Sequence, residues 1–150
     1  GLQARALSEG LDNVVFHDPV NKARLAGLMA ATDVGLQILA NVPAFYYGTS
    51  PNKFFDYIAA GLPVLNNYPG WLAEMIKTNG CGFAVQPENP GPFADALEQA
   101  ADNRQALKVM GTRARALAEK EFSRLLLADL WVNALEVTLA NAPKKRRMLG

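Results

Sequence analysis

The chain is 150 residues long, half of them apolar and 19% charged, with a formal net charge of +1; that is one soluble domain's worth of sequence, able to bury a real core. A balance so near neutral argues against a nucleic-acid binder, and the single Cys81 excludes an internal disulfide. No apolar run approaches the ~18 residues that span a bilayer and no signal peptide is visible, so a cytoplasmic location is expected.

Apolar runs alternate with helical patterns, the mark of βαβ units and a parallel sheet. Residues 2–10 read as the end of a helix. Val14–Phe16 reads as a short strand, and 21–31 as a helix with Leu25, Leu28 and Met29 on its buried side. Val34–Leu39 is a continuous apolar strand of the kind covered on both faces. Pro63–Leu65 and Phe83–Val85 are further short strands, separated by a helix over 71–78 that Gly80 closes. From Pro92 the pattern is helical over 92–101, 104–120 and 124–140, the last carrying Leu126, Leu130, Trp131, Leu135 and Leu139. Lys144–Arg147 forms a basic end after Pro143. The expected organisation is a Rossmann-like unit over 1–141 followed by a basic, disordered tail over 142–150. Such a tail is ordinarily solvated, though basic residues near anionic lipid contribute about 1 kcal/mol each, which would give peripheral membrane contact.

The most informative segment runs from Gly48 to Leu65. Ser50 suits an N-cap and Pro51 the first helical position. A helix start there offers free N–H groups and the positive dipole end to an anion. Asn52, Lys53 and Asp56 share one face, with Phe54, Phe55, Ile58 and Ala59 largely on the other; Gly61 can close the helix and Pro63 stops it. A cation near the start and a carboxylate about 9 Å along suit a nucleotide diphosphate and its ribose diol. Spacing alone leaves that site level with a plain capped helix carrying a surface ion pair.

The segment Asp56-Tyr-Ile-Ala-Ala-Gly-Leu-Pro-Val64 resembles the donor-nucleotide stretch of GT-B glycosyltransferases of glycosyltransferase family 4. Asn13–Val20 with Leu25–Leu36 resembles that family's strand, base-binding turn, helix and next strand. Gly80–Pro87, Met110–Ala116 and Glu121–Ser123 resemble its last strand and closing helices. The resemblance runs through nearly the whole chain in order. It implies the C-terminal, donor-binding part of a GT-B enzyme, an α/β doubly wound parallel sheet with a helical C-terminus. It implies Asp56 as the ribose carboxylate, the diphosphate contact over Thr49, Ser50, Asn52 and Lys53, and Val20 at the turn whose backbone reads the base.

Two departures stand out. Gly48 occupies the place of a sugar-contacting Glu eight residues before the ribose carboxylate, and Asp56 is one methylene shorter than the usual Glu. No residue is assigned to the bond-making step.

The resemblance also implies that two strands preceding residue 1, and an N-terminal acceptor domain, belong to the longer enzyme. Without them the segment at 14–16 has no strand neighbour and 34–39 exposes an apolar edge, so rearranged pairing or self-association is expected. The implied activity is retaining hexosyl transfer from a nucleotide diphosphate-sugar, first of all a UDP-sugar, in bacterial polysaccharide or lipopolysaccharide assembly. A glycan or lipid-linked acceptor is the implied partner, no metal or cofactor is implied, and the chain alone is expected to be inactive. The rivals are a GT-B-fold sugar-nucleotide epimerase and a non-catalytic nucleotide-binding module.

Residues outside that segment carry weaker signals. His17, the only histidine, stands without a nucleophile or metal-ligand cluster around it. Tyr46 and Tyr47 could stack on a sugar, and Glu74 could face the site across the Asn66–Gly70 loop; packing and a solvated helix face explain them equally well.

Overall fold

A computed structural model of the chain describes residues 1–142, which divide into two compact units, Gly1–Ala31 and the rest from Thr32. Of the basic tail expected over 142–150, residues 143–150 lie outside the described residues.

The first unit holds helix α1 (Leu2–Ser8) and helix α2 (Lys22–Ala30). Asn21 caps α2, its side-chain oxygen accepting from the Arg24 N–H at 3.0 Å. Val14–Phe16 is not a strand: the segment is irregular, and its side chains are 43–70% exposed. A parallel strand needs a neighbour to take its backbone hydrogen bonds, and this unit contains none. Of the expected buried side of α2, Leu25 and Leu28 are exposed and Met29 is half-buried.

The second unit is built on three parallel strands, β1 (Gly35–Gln37), β2 (Val64–Asn66) and β3 (Gly82–Ala84), paired in chain order. Gly35, Leu36 and Gln37 lie opposite Val64, Leu65 and Asn66, which in turn face Gly82, Phe83 and Ala84. β1 is half the length of the apolar run that announced it, and β2 and β3 are each shifted by one residue from the expected Pro63–Leu65 and Phe83–Val85, because ladder pairing rather than hydrophobicity sets their ends. Pairing is not rearranged: among the described residues β1 pairs with β2 alone, and Leu36 and Ile38 stand 37% and 47% exposed along that edge.

Helices fill the connections. Between β1 and β2 come α3 (Ala44–Gly48) and α4 (Asn52–Ala59); α5 (Trp71–Asn79) joins β2 to β3. After β3 follow α6 (Pro90–Asp102), α7 (Arg104–Glu121) and α8 (Arg124–Ala140). Gly61 and Gly80 take positive φ just past α4 and α5, where the sequence placed the helix stops. Phe54 and Ile58 of α4, Leu72 and Ile76 of α5, and Ala114 and Leu117 of α7 join Val64 and Cys81 in one apolar cluster. The loops leaving the carboxyl ends of β1 and β2 lead into α3 and α5.

The last helix, α8, spans the expected residues 124–140. Its apolar residues point in every direction, and none is buried among the described residues.

Candidate functional site

The carboxyl ends of β1 and β2 feed two loops that are fastened to each other. Asn67, directly after β2, acts as an extra peptide unit. Its side-chain oxygen accepts from the Leu39 N–H at 2.9 Å, and its amide donates to the Leu39 carbonyl at 3.0 Å. Trp71 at the start of α5 donates its indole N–H to the Thr49 carbonyl at 3.0 Å. Gly70 lies so close to the Tyr46 carbonyl that any side chain there would collide with it. Tyr46 in turn stacks on buried Tyr68, ring centroids 6.3 Å apart. The loop over 38–51 is therefore pinned at its first residues, its middle and its end before it enters α4.

Beneath Tyr68 lies a polar interior. Gln37 and Asn66, paired in register, are fully buried. The Gln37 amide donates to the Tyr68 hydroxyl at 3.4 Å, and the Asn66 amide donates to the Tyr68 carbonyl. Their two side-chain oxygens have no partner among the described residues. Burial pushes the Tyr68 phenol pKa up, against the lowering effect of its hydrogen bond with Gln37.

The start of α4 differs from the expected one by a residue. Pro51 is the cap, in extended conformation at φ −76° and ψ 124°, and Asn52 is the first helical residue. Ser50, one position earlier, caps nothing. Since proline has no side-chain acceptor, the first N–H groups of α4 go uncapped, at the positive end of the helix dipole. Thr49 is half-buried, while Ser50, Asn52, Lys53 and Asp56 are exposed. Neither Lys53 nor Asp56 forms an ion pair among the described residues, which removes the plain surface ion pair as their role.

Asp56 sits a turn along α4 from Asn52, about 6 Å by helical rise. It lines a cavity of about 460 Å³ between α4 and the α7–α8 junction, with Arg115, Glu119, Ser123 and Arg124. The cations beside it come from 59 and 68 positions later in the chain, so no local spacing could have announced them. Next to it, Tyr57 has its phenol pKa pushed up, by burial first and by the Asp56 carboxylate second. Val20 belongs to the N-terminal unit, where it is half-buried, and His17 of the same unit is exposed. The loop–helix segment holds Thr49, Ser50, Asn52, Lys53 and Asp56 within the second unit.

A larger cavity, about 710 Å³, lies elsewhere. Asp33, Pro63, Arg104, Lys108 and Arg115 line it at the amino ends of the strands, the wrong end for a ligand in an open α/β sheet. Among the described residues no group of three or more His, Cys, Asp or Glu is arranged to hold a metal ion. None of the described helices is long and apolar enough to cross a membrane.

A short parallel sheet with helices in its connections, and an uncapped helix start following the loop that leaves β1, define a Rossmann-like unit of GT-B type. The fold matches sucrose-phosphate synthase from Thermosynechococcus elongatus with a TM-score of 0.78 at 19% identity, over 94% of this chain and 34% of that one. The family model for glycosyl transferases group 1 matches residues 1–103, and the chain belongs to that family. D-inositol 3-phosphate glycosyltransferase of Streptomyces griseus is 31% identical over 90% of this chain, and its namesake in Streptomyces scabiei 32% identical over 79%. The chain spans 28% and 26% of the length of these two relatives.

Proposed function

We propose that this chain is the donor-binding part of a retaining glycosyltransferase, which takes a nucleotide diphosphate-sugar, first of all a UDP-sugar, and passes the sugar to an acceptor. The observation that carries this is the open start of α4: uncapped N–H groups with Lys53 beside them, in no ion pair among the described residues, after a loop fastened at three points. Such an arrangement stabilises the negative charge that grows on a departing diphosphate, and a pinned loop loses little order in doing so. Thr49, Ser50, Asn52 and Lys53 contact the diphosphate in this proposal. Asp56 accepts from the ribose diol, and the Val20 turn reads the base.

The acceptor is a glycan or a lipid-linked sugar of bacterial envelope or exopolysaccharide assembly, held by a domain beyond this chain. The name of the Streptomyces relatives adds a polyol phosphate as the acceptor class to try beside it.

The test is calorimetric titration of the full-length protein with UDP, GDP and ADP. Asp56→Ala and Lys53→Ala should each weaken the preferred nucleotide about tenfold or more, the cost of one charge-assisted hydrogen bond. Wild-type affinity in both variants would overturn the site assignment. Turnover of the free sugar nucleotide to its epimer, with no acceptor present, would overturn the transferase reading in favour of an epimerase.

A further inference from the structure

A second hollow lies on the same rim, between the loop leaving β2 and the segment leaving β3. Its volume is about 150 Å³, room for several water molecules. Its walls bring together groups from three separate parts of the chain: Tyr47 from α3, Glu74 and Lys77 from α5, and Gln86 beyond β3. Tyr47 is 73% exposed although its neighbour Tyr46 is packed against Tyr68, so its ring is not part of the core. Glu74 and Lys77 stand three residues apart on one helix face, yet neither forms an ion pair among the described residues. The hollow therefore combines an exposed aromatic face, a free carboxylate, a free ammonium and an amide.

That combination fits one class of small molecule. A pyranose ring has an apolar C–H face, which an aromatic ring covers, and a girdle of hydroxyls that both donate and accept. Glu74 accepts from hydroxyls, Lys77 donates to them, and Gln86 does either. A phosphate would be repelled by Glu74, and an apolar ligand would leave all three polar groups unsatisfied. We propose that the hollow framed by Tyr47, Glu74, Lys77 and Gln86 is a pyranose-binding subsite, with Tyr47 stacking on the ring and the Glu74 carboxylate holding its hydroxyls.

The subsite deepens the donor-site reading and rests on it for the ring's origin. Tyr47 is two residues before Thr49, whose carbonyl Trp71 holds, so the hollow adjoins the loop assigned to the diphosphate. Glu74 would then stand in for the sugar-contacting carboxylate that Gly48 cannot supply. The ring is either the sugar being transferred or the terminal ring of the acceptor. Both present the same hydroxyl chemistry.

Two measurements on the full-length protein separate the outcomes, with Tyr47→Ala and Glu74→Gln checked for native circular dichroism. The first is calorimetry with UDP-glucose, GDP-mannose and ADP-glucose beside the bare nucleoside diphosphates. The second is saturation-transfer NMR with methyl α-glucopyranoside and methyl α-mannopyranoside, which needs no nucleotide site. About tenfold weaker sugar-nucleotide binding in both variants, with bare-nucleotide affinity unchanged, supports the proposal and makes the ring the donor's. Loss of the glycoside signal with sugar-nucleotide affinity unchanged supports it and makes the ring the acceptor's. Wild-type behaviour of both variants in both measurements overturns the subsite. Failure of every nucleotide to bind overturns the donor-site reading instead, and the glycoside measurement still decides the subsite.

Discussion

Helices α4 and α8 are both rich in large apolar side chains, and the structure treats them in opposite ways. In α4 these residues form a stripe: Phe54 and Ile58 are fully buried at four-residue spacing, while Asn52, Lys53 and Asp56 line the exposed side. In α8 they surround the axis, and Leu125, Leu130, Trp131, Val137 and Leu139 are 55–79% exposed. A stripe gives a helix one direction to bury and another to offer to a ligand; apolar groups on every side give it neither. Hydrophobic content is therefore no guide to which helix holds the unit together.

The sharpest way to break this contrast is a pair of truncations. Ile58→Ala removes a fully buried side chain from the apolar cluster and should cost about 2–5 kcal/mol. Leu130→Ala removes the side chain of an exposed residue and should stay within about 0.5 kcal/mol. Urea unfolding of the chain reads both. Equal losses would mean that α8 is packed in solution.

The second test moves from the core to the loop that α4 follows. Asn67→Ala removes both hydrogen bonds to Leu39, a part-buried pair, and should cost about 1–3 kcal/mol. Trp71→Phe keeps the ring's edge-on contact with Phe54 but loses the bond to the Thr49 carbonyl, for about 1 kcal/mol. If these bonds fasten the donor loop, hydrogen exchange over residues 39–51 should speed up in both variants while exchange in α8 stays unchanged. Uniform change along the chain would reduce the fastening to general stability.

Much of this half of the molecule was legible in the sequence because its signals are local. Helix stops at Gly61 and Gly80, the alternation of strands and helices, and the polar and apolar sides of α4 each depend on residues within a turn or two of one another. The errors arose where a partner decides. Val14–Phe16 has strand composition but no strand beside it, and Leu25 and Leu28 of α2 have the spacing of a buried side yet stay exposed. The start of α4 was misplaced by one residue because serine is favoured at a cap and proline at the first helical position, whereas the extended ψ of Pro51 leaves it outside the helix. Around the site, Lys53 and Asp56 could be singled out from their spacing, and Glu74 from a guess across the loop. Arg115, Ser123 and Arg124 beside Asp56, and Trp71 on Thr49, are products of long-range packing and left no mark in local sequence.

The smallest expected effect is the pH response, and it too divides the molecule. Burial raises the Cys81 thiol from an ordinary value of 9.0, and raises the Tyr57 and Tyr68 phenols from 10.0. All three groups belong to the half packed around α4, β2 and α5. As pH climbs past about 9, the unfolded chain gives up the Cys81 proton while the folded chain keeps it. The folded state then binds more protons than the unfolded one, so stability must fall with rising pH. Above about 10 the two tyrosines add to the same slope. Cys81→Ala should lower stability by a constant amount at neutral pH but move the onset of the decline from about 9 to about 10. Reading urea midpoints from Trp71 fluorescence in a Trp131→Phe background confines the measurement to the packed half, since Trp131 is 67% exposed on α8. An onset that stays near 9 without the thiol would mean that some other group in this half, not Cys81, retains the proton.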